Sequence, residues 1–252
     1  MEKFENDDVE ELLVAVQQSD FLKNRTKRIM WSAVKYKELQ MMYLCAIKEV
    51  RTKFEVLDTE FNLRHKRNPI SSIQTRLKRT DSIFEKMERK NLPMTLESLE
   101  ENINDVAGIR VICSYIDDIY EIADALIRQD DITLLEKKDY IEHPKPNGYR
   151  SLHLIVKVPV FFTDRTKEMK VEVQIRTIAM DFWASLEHQI KYKKEICNQS
   201  EICRQLKECA DVIAETDRKM LNLRAQIDGA EETQTEEELL FERFRKLDMP
   251  IA

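Results

Sequence analysis

The chain has 252 residues, 42% of them hydrophobic and 35% charged, with a formal net charge of −6. That balance belongs to a globular protein with much charged helical surface. Glycine occurs only at Gly108, Gly148 and Gly229, which excludes a Walker-type loop and a Rossmann fingerprint because both need clustered glycines. Any phosphate must then be held by side chains. The five cysteines (Cys45, Cys113, Cys197, Cys203, Cys209) form no CxxC pair, so free thiols in a reducing cytosol are expected. The acidic N-terminus lacks the apolar core of a signal peptide. No run of 18 apolar residues is present, so no membrane span is expected.

In chain order, residues 1–28 read as a short acidic helix followed by a basic turn. Residues 30–63 read as a long helix, with Leu39, Tyr43, Ile47, Val50, Phe54, Leu57 and Phe61 in alternating steps of three and four. This stripe suits core packing or a subunit interface. Pro69 is taken to restart the chain into a second helix over about 71–91. A third short helix begins at Thr95, whose hydroxyl can cap it. Then β-branched runs appear. Ile109 to Tyr115, Ile132–Ile141, Leu152–Val160 and Met169–Arg176 read as strands. Asp117 to Arg128, 178–192 and 199–227 read as helices, and 228–247 as an acidic tail that then carries Leu239, Leu240, Phe241 and Phe244. The fold class is α+β: a mixed, largely antiparallel sheet of about five strands between N-terminal and C-terminal helices. The expected division is a helical extension (1–68), a catalytic domain (69–192), and C-terminal helices with the tail (193–252).

The chemistry concentrates in four places. Arg64 to Lys90 holds nine Lys/Arg against three acids, a local basic patch that suits a compact anionic ligand better than a long nucleic acid. Within it, Lys78, Ser82, Lys86 and Arg89 recur at four, four and three residues, which on a helix is one face. Such a face is either solvated or a polyphosphate clamp. In Val171-Glu172-Val173-Gln174-Ile175-Arg176 the polar residues alternate with β-branched ones, so a strand would show Glu172, Gln174 and Arg176 on one side. Ser151 and His153 repeat that pattern, and Arg110 opposes Ile109 and Val111, with Asp105 just before that strand. Asp105 and Glu172 form a carboxylate pair of the kind that shares magnesium with substrate phosphates. Finally, His143 to Arg150 holds two prolines and an Asn-Gly step, so a stiff, tight turn is expected there, ending on Tyr149, which could stack on a base.

At these residues the sequence resembles the synthetase domain of the RelA/SpoT family, and more closely its stand-alone small alarmone synthetases. The resemblance is carried, in order, by Arg76-Leu77-Lys78 with Ser82-Ile83 and Lys86, by Asp105-Val106-Ala107-Gly108-Ile109-Arg110, and by Asn147-Gly148-Tyr149-Arg150-Ser151-Leu152-His153. Glu172-Val173-Gln174-Ile175-Arg176-Thr177 and the stretch Asp181 to His188 complete it. It is dense over about 69–192.

The resemblance implies a nucleotidyltransferase-like synthetase fold and a division of roles. Arg76 and Arg110 would sandwich adenine, and Lys78, Ser82, Lys86 and Arg89 would hold the phosphates of ATP. Asp105 with Glu172 would bind Mg²⁺, and Glu172 would help deprotonate the acceptor hydroxyl. Tyr149 would stack on guanine, with Lys145, His153, Gln174, Arg176 and Asp181 positioning GTP or GDP. The implied reaction moves pyrophosphate from ATP to a 3′-hydroxyl, giving pppGpp, ppGpp or pGpp and AMP, as in the stringent response. No His-Asp dipeptide occurs, so synthesis without hydrolysis is expected, and no room is seen for C-terminal ribosome-sensing domains. The resemblance also implies a cytoplasmic bacterial homotetramer. Some members carry a Phe-x-Thr pair just before the first motif; Ser72 and Gln74 stand there in this sequence. Two other readings remain at this point: a related enzyme whose acceptor is an adenosine nucleotide or a tRNA 3′ end, and a non-catalytic helical interaction protein.

Overall fold

The computed structural model describes residues 23–65, 67–192 and 199–231. The elements in order are α1 (Lys23–His65), β1 (Ile70–Leu77), α2 (Thr80–Arg89), α3 (Leu96–Asn102), β2 (Ala107–Cys113), α4 (Ile116–Ile127), β3 (Thr133–Asp139), β4 (Leu152–Phe161), β5 (Thr166–Thr177), α5 (Ile178–Tyr192) and α6 (Gln199–Glu231). The five strands form one sheet in the order β1-β2-β5-β4-β3. The β2–β5 pair is parallel and the other three pairs are antiparallel. The α+β expectation therefore holds, down to a mixed sheet of five strands.

One face of the sheet is apolar because every second residue of the central strands is. Ile109 and Val111, Leu152 to Val160 in alternation, and Val171, Val173 and Ile175 are all buried. On that face lies α1, whose whole predicted stripe from Leu39 to Phe61 is buried in the same core. Burial of each such large side chain stabilises the fold by about 1.5–3 kcal/mol, so core packing accounts for the stripe. The buried Ile119, Ile122 and Leu126 bring α4 into the same core. Thr95 does cap α3, accepting from Ser98 N at 3.2 Å.

Three expectations need correction. The segment 71–91 is not one helix: strand β1 runs to Leu77 and α2 starts only at Thr80. Strand β1 pairs with β2, about thirty residues further on, and a partner that distant leaves no trace in local periodicity. The spacing of Ile73, Leu77 and Phe84, in steps of four and seven, also imitates a helix. Lys23 to Arg28 belong to α1 rather than to a turn, while 1–22 lie outside the described residues. Helix α6 continues through Asp228 and Gly229 to Glu231, so those residues do not open a tail; 232–252 lie outside the described residues. Among the described residues no helix is long and apolar enough to cross a membrane.

Candidate active site

Sheet register assembles the polar face opposite α1. Residues paired across neighbouring strands point the same way, and Gln74, Arg110, Gln174, His153 and Lys138 are successive partners across all five strands. Beside them runs a second row of Arg76, Gly108, Glu172 and Ile155. Gly108 contributes no side chain, and the space above it is part of a cavity of roughly 460 Å³. That cavity is lined by Gln74, Arg76, Asp105, Arg110, Glu172 and Gln174, among others. Both predicted adenine-side arginines and both predicted carboxylates thus face one space.

Around Asp105 two ammonium groups meet one half-buried carboxylate. Its Oδ2 accepts from Lys78 Nζ and pairs with Lys86 Nζ, each at 2.7 Å. Burial works to raise its pKa, but the two ammonium groups outweigh burial and hold the carboxyl below the usual range. Its Oδ1 is buried and has no hydrogen-bond partner. Lys78 reaches this point although it precedes α2, because its backbone N–H is tied to Val106 O at 2.8 Å. Ser82 and Arg89 lie on the Lys86 face of α2, about a turn to either side, and neither lines the cavity.

Glu172 is the second carboxylate. Its Oε2 accepts from Gln174 Nε2 at 2.9 Å, and its Oε1 stands 3.7 Å from His153 Nδ1. Burial again opposes ionisation, but His153 and the Gln174 amide lower the pKa below the ordinary glutamate range. Asp105 and Glu172 could offer a metal carboxylate oxygens, of which Asp105 Oδ1 is buried without a hydrogen-bond partner. Among the described residues no group of three or more His, Cys, Asp or Glu could hold a metal ion. Such a pair suits a hard divalent cation that completes its shell with water and substrate phosphate.

The other predicted residues form a hydrogen-bonded chain. Tyr149 Oη lies 2.8 Å from His153 Nε2 and accepts from Arg176 Nη2 at 3.0 Å. Arg176 also donates to Gln174 Oε1 at 2.6 Å and to Asp181 Oδ1 at 3.2 Å. Its side chain is only 3% exposed; in such a setting partner oxygens must replace water. The Asp181 carboxylate also meets Arg110 at 3.3 Å, which joins this chain to the adenine-side arginine. Lys145 Nζ sits over the ring of Tyr149 at 4.7 Å. Ser151 stands beside Tyr149 but is buried, and its hydroxyl donates to Ile175 O at 3.1 Å.

Two residues of this region were missed as site residues. Tyr140 packs edge-on against His153 (5.2 Å between centroids) and Tyr149 (6.0 Å), with Lys145 Nζ 4.4 Å from its ring. Its signal was alternation, since Tyr140 follows Lys138 by two and Lys138 pairs with His153. Gln74 receives Arg110 Nη1 at 3.4 Å. It was hidden by the helical reading of 71–91.

A parallel–antiparallel sheet whose polar face joins an arginine-lined cavity, a lysine-flanked carboxylate and an aromatic–guanidinium chain defines a nucleotide-handling transferase. Comparison with known proteins narrows this. The family profile described as "Region found in RelA / SpoT proteins" matches residues 75–196. The chain is 44% identical over 193 residues to the GTP pyrophosphokinase YwaC of Bacillus subtilis, covering 77% of this chain and 92% of that protein. The crystal structure of small alarmone synthetase 2 from Bacillus subtilis superposes with a TM-score of 0.68 at 42% identity, over 76% of this chain and 98% of that one. Small alarmone synthetase 1 from the same organism, bound to its product pppGpp, gives a TM-score of 0.70 at 31% identity, over 77% and 98%. The chain belongs to the RelA/SpoT family, among its small alarmone synthetases.

Proposed function

We infer that this chain is a GTP pyrophosphokinase. It transfers the β,γ-pyrophosphate of ATP to the 3′-hydroxyl of GTP or GDP and releases AMP. The observation that carries the reading is the pairing of Lys78 and Lys86 with Asp105 in the cavity where Arg76, Arg110 and Glu172 converge. That arrangement offers planar cations for a base, ammonium groups for a polyphosphate and a carboxylate for a hydroxyl.

Adenine lies between Arg76 and Arg110. Lys78 and Lys86 leave Asp105 for the β- and γ-phosphates, while Ser82 and Arg89 extend the same helical face outward. Asp105 and Glu172 would hold Mg²⁺, which would supply charge neutralisation for the transferred group. Guanine stacks on Tyr149, and Asp181 accepts from its N1 and N2 donors. Lys145, His153, Gln174 and Arg176 orient the ribose and phosphates of the acceptor.

Glu172 is ionised at neutral pH, because its pKa is lowered, so it can accept the hydrogen bond of the 3′-hydroxyl and then its proton. The 3′-oxygen bonds to the β-phosphorus as the bond from that phosphorus to the α–β bridging oxygen breaks, and AMP carries the bridging oxygen away. Catalysis rests on in-line positioning and charge neutralisation.

We further place the enzyme in the bacterial cytoplasm, where both nucleotides are, as a homotetramer. Support for assembly comes from Ile178, Phe182 and Leu186, spaced by four along α5 and exposed. Light scattering on the purified protein tests the assembly. The function is tested by incubating the protein and magnesium with γ-labelled ATP and each of GTP, GDP, GMP, ADP, AMP and tRNA. Label should pass to a guanosine nucleotide; label on ADP, AMP or tRNA alone would overturn the reading.

A further inference from the structure

Helix α6 lies outside the motifs that define the site, yet its buried side touches both segments that carry the acceptor-side residues. The first is the loop before β4. Gly148 has φ +90°, and a Cβ there would stand 2.5 Å from Ala210 Cβ, so the loop lies flat against the helix. Arg150 closes the contact, donating to Gly148 O and to Ala210 O, each at 3.1 Å, and to Asp211 Oδ1 at 3.0 Å. Tyr149 sits between these two anchored residues.

The second segment is the junction of β5 and α5. The Thr177 hydroxyl donates to Asp217 Oδ2 at 2.6 Å and accepts from Met180 N at 3.1 Å. Both side chains are buried. Thr177 thus links α6 to the first turn of α5, between Arg176 on one side and Asp181 on the other. Trp183 Nε1 donates to Leu206 O at 2.8 Å and fixes the next turn.

The donor side is held by different elements. Thr80, which starts α2, accepts from Tyr36 Oη at 3.1 Å and Gln40 Nε2 at 3.4 Å of α1, and Asp105 is held by Lys78 and Lys86.

We propose that α6 is a positioning element for the acceptor nucleotide, acting through the Thr177–Asp217 hydrogen bond and the Arg150 bracket, and reaching the ATP side only through the Asp181–Arg110 pair. The inference rests on the assignment of Tyr149, Arg176 and Asp181 to the guanosine nucleotide. Asp217 and Thr177 contact no substrate; they set the angle at which Arg176 and Asp181 are presented, and small misplacements of such groups are costly to rate.

Steady-state kinetics with each substrate varied in turn, together with melting temperatures, test it. Asp217→Ala and Thr177→Val should raise KM for the guanosine nucleotide by roughly tenfold, the scale of a modest misalignment, with KM for ATP rising far less. Asp217→Asn retains an accepting oxygen and Thr177→Ser retains the hydroxyl, so both should stay close to the parent enzyme. Equal rises in both KM values, a rise for ATP alone, or conservative variants as impaired as the severe ones would overturn the proposal. If Asp217→Ala does not fold, the Thr177→Val and Thr177→Ser pair decides by the same criteria. Absence of transfer to any guanosine nucleotide by the parent enzyme is a separate result, and it would sink the functional reading beneath the proposal.

Discussion

The two sides of the site are built on opposite plans. On the donor side, cations and a carboxylate neutralise one another across a cavity: Lys78 and Lys86 share one oxygen of Asp105, whose other oxygen is buried without a partner. On the acceptor side, Tyr149, His153, Gln174, Arg176 and Asp181 are already linked into one chain of hydrogen bonds. On the proposed function, the donor side would exchange its internal ion pairs for ligand ones when a polyphosphate binds. The acceptor side, on the same reading, offers a shape fixed in advance, which lowers the ordering cost of binding.

Removing the group that faces both sides should have the largest effect. Glu172→Gln should lower the transfer rate by about 10²–10⁴-fold, the usual worth of a positioned base, while a non-hydrolysable ATP analogue still binds. Rapid-quench measurement of AMP formation and calorimetry with the analogue check the two halves. An equal loss of analogue binding would place Glu172 wholly on the donor side.

Next come the lysines. Lys78→Ala or Lys86→Ala should each cost about a hundredfold in kcat/KM for ATP, the scale of losing one donor to developing charge. The parameter for the guanosine nucleotide at saturating ATP should move less. A symmetrical loss would erase the distinction between the sides.

Smaller again is Tyr149→Phe. It keeps the stacking ring but removes the oxygen that joins His153 to Arg176. A hydrogen bond to a charged group contributes about 1.5–3 kcal/mol, so KM for the guanosine nucleotide should rise roughly tenfold and KM for ATP should hold.

The mildest test is pH. The pKa of Glu172 is lowered from its ordinary 4.5, and that of Asp105 is lowered from 3.8. A depressed carboxylate contributes stability that is present above its unfolded pKa and is lost as pH falls through the folded one. Both contributions are therefore intact at neutral pH, and the acid limb of kcat/KM, which reports the free enzyme, should lie below the ordinary glutamate value. The opposite sign applies at Asp217, whose pKa burial raises. Its ionisation opposes folding above the ordinary value and is relieved as pH falls, so Asp217→Asn should not lower the melting temperature at neutral pH.

Much of this was legible in the sequence, and the reasons differ by region. Strand alternation at Glu172, Gln174 and Arg176 is a local signal, and the structure places all three on one face. The α1 stripe is equally local and entirely buried. The sequence also marked Asp105, Arg110, Tyr149 and His153 through their places before, in or beside strands. What it hid depends on pairing at a distance. Strand β1 was read as helix because its partner lies beyond α2 and α3, and that error concealed Gln74 beside Arg110. The spacing of Lys78 with Lys86 pointed to a shared target for the wrong reason: Lys78 reaches Asp105 from a loop held to Val106. Asp217 and Ala210 gave no signal, because a buried residue on an otherwise exposed helix shows its purpose only when its neighbours are known.

The central claim is that a pyrophosphoryl group, and not a single phosphoryl group, moves from the donor side to the acceptor side. Phosphorus NMR of the enzyme with magnesium, ATP and GDP tests this most directly. The account predicts that AMP appears in step with a new coupled pair of phosphate resonances on the 3′ position of guanosine. Formation of ADP with a single new 3′-phosphate, or with GTP, would contradict it.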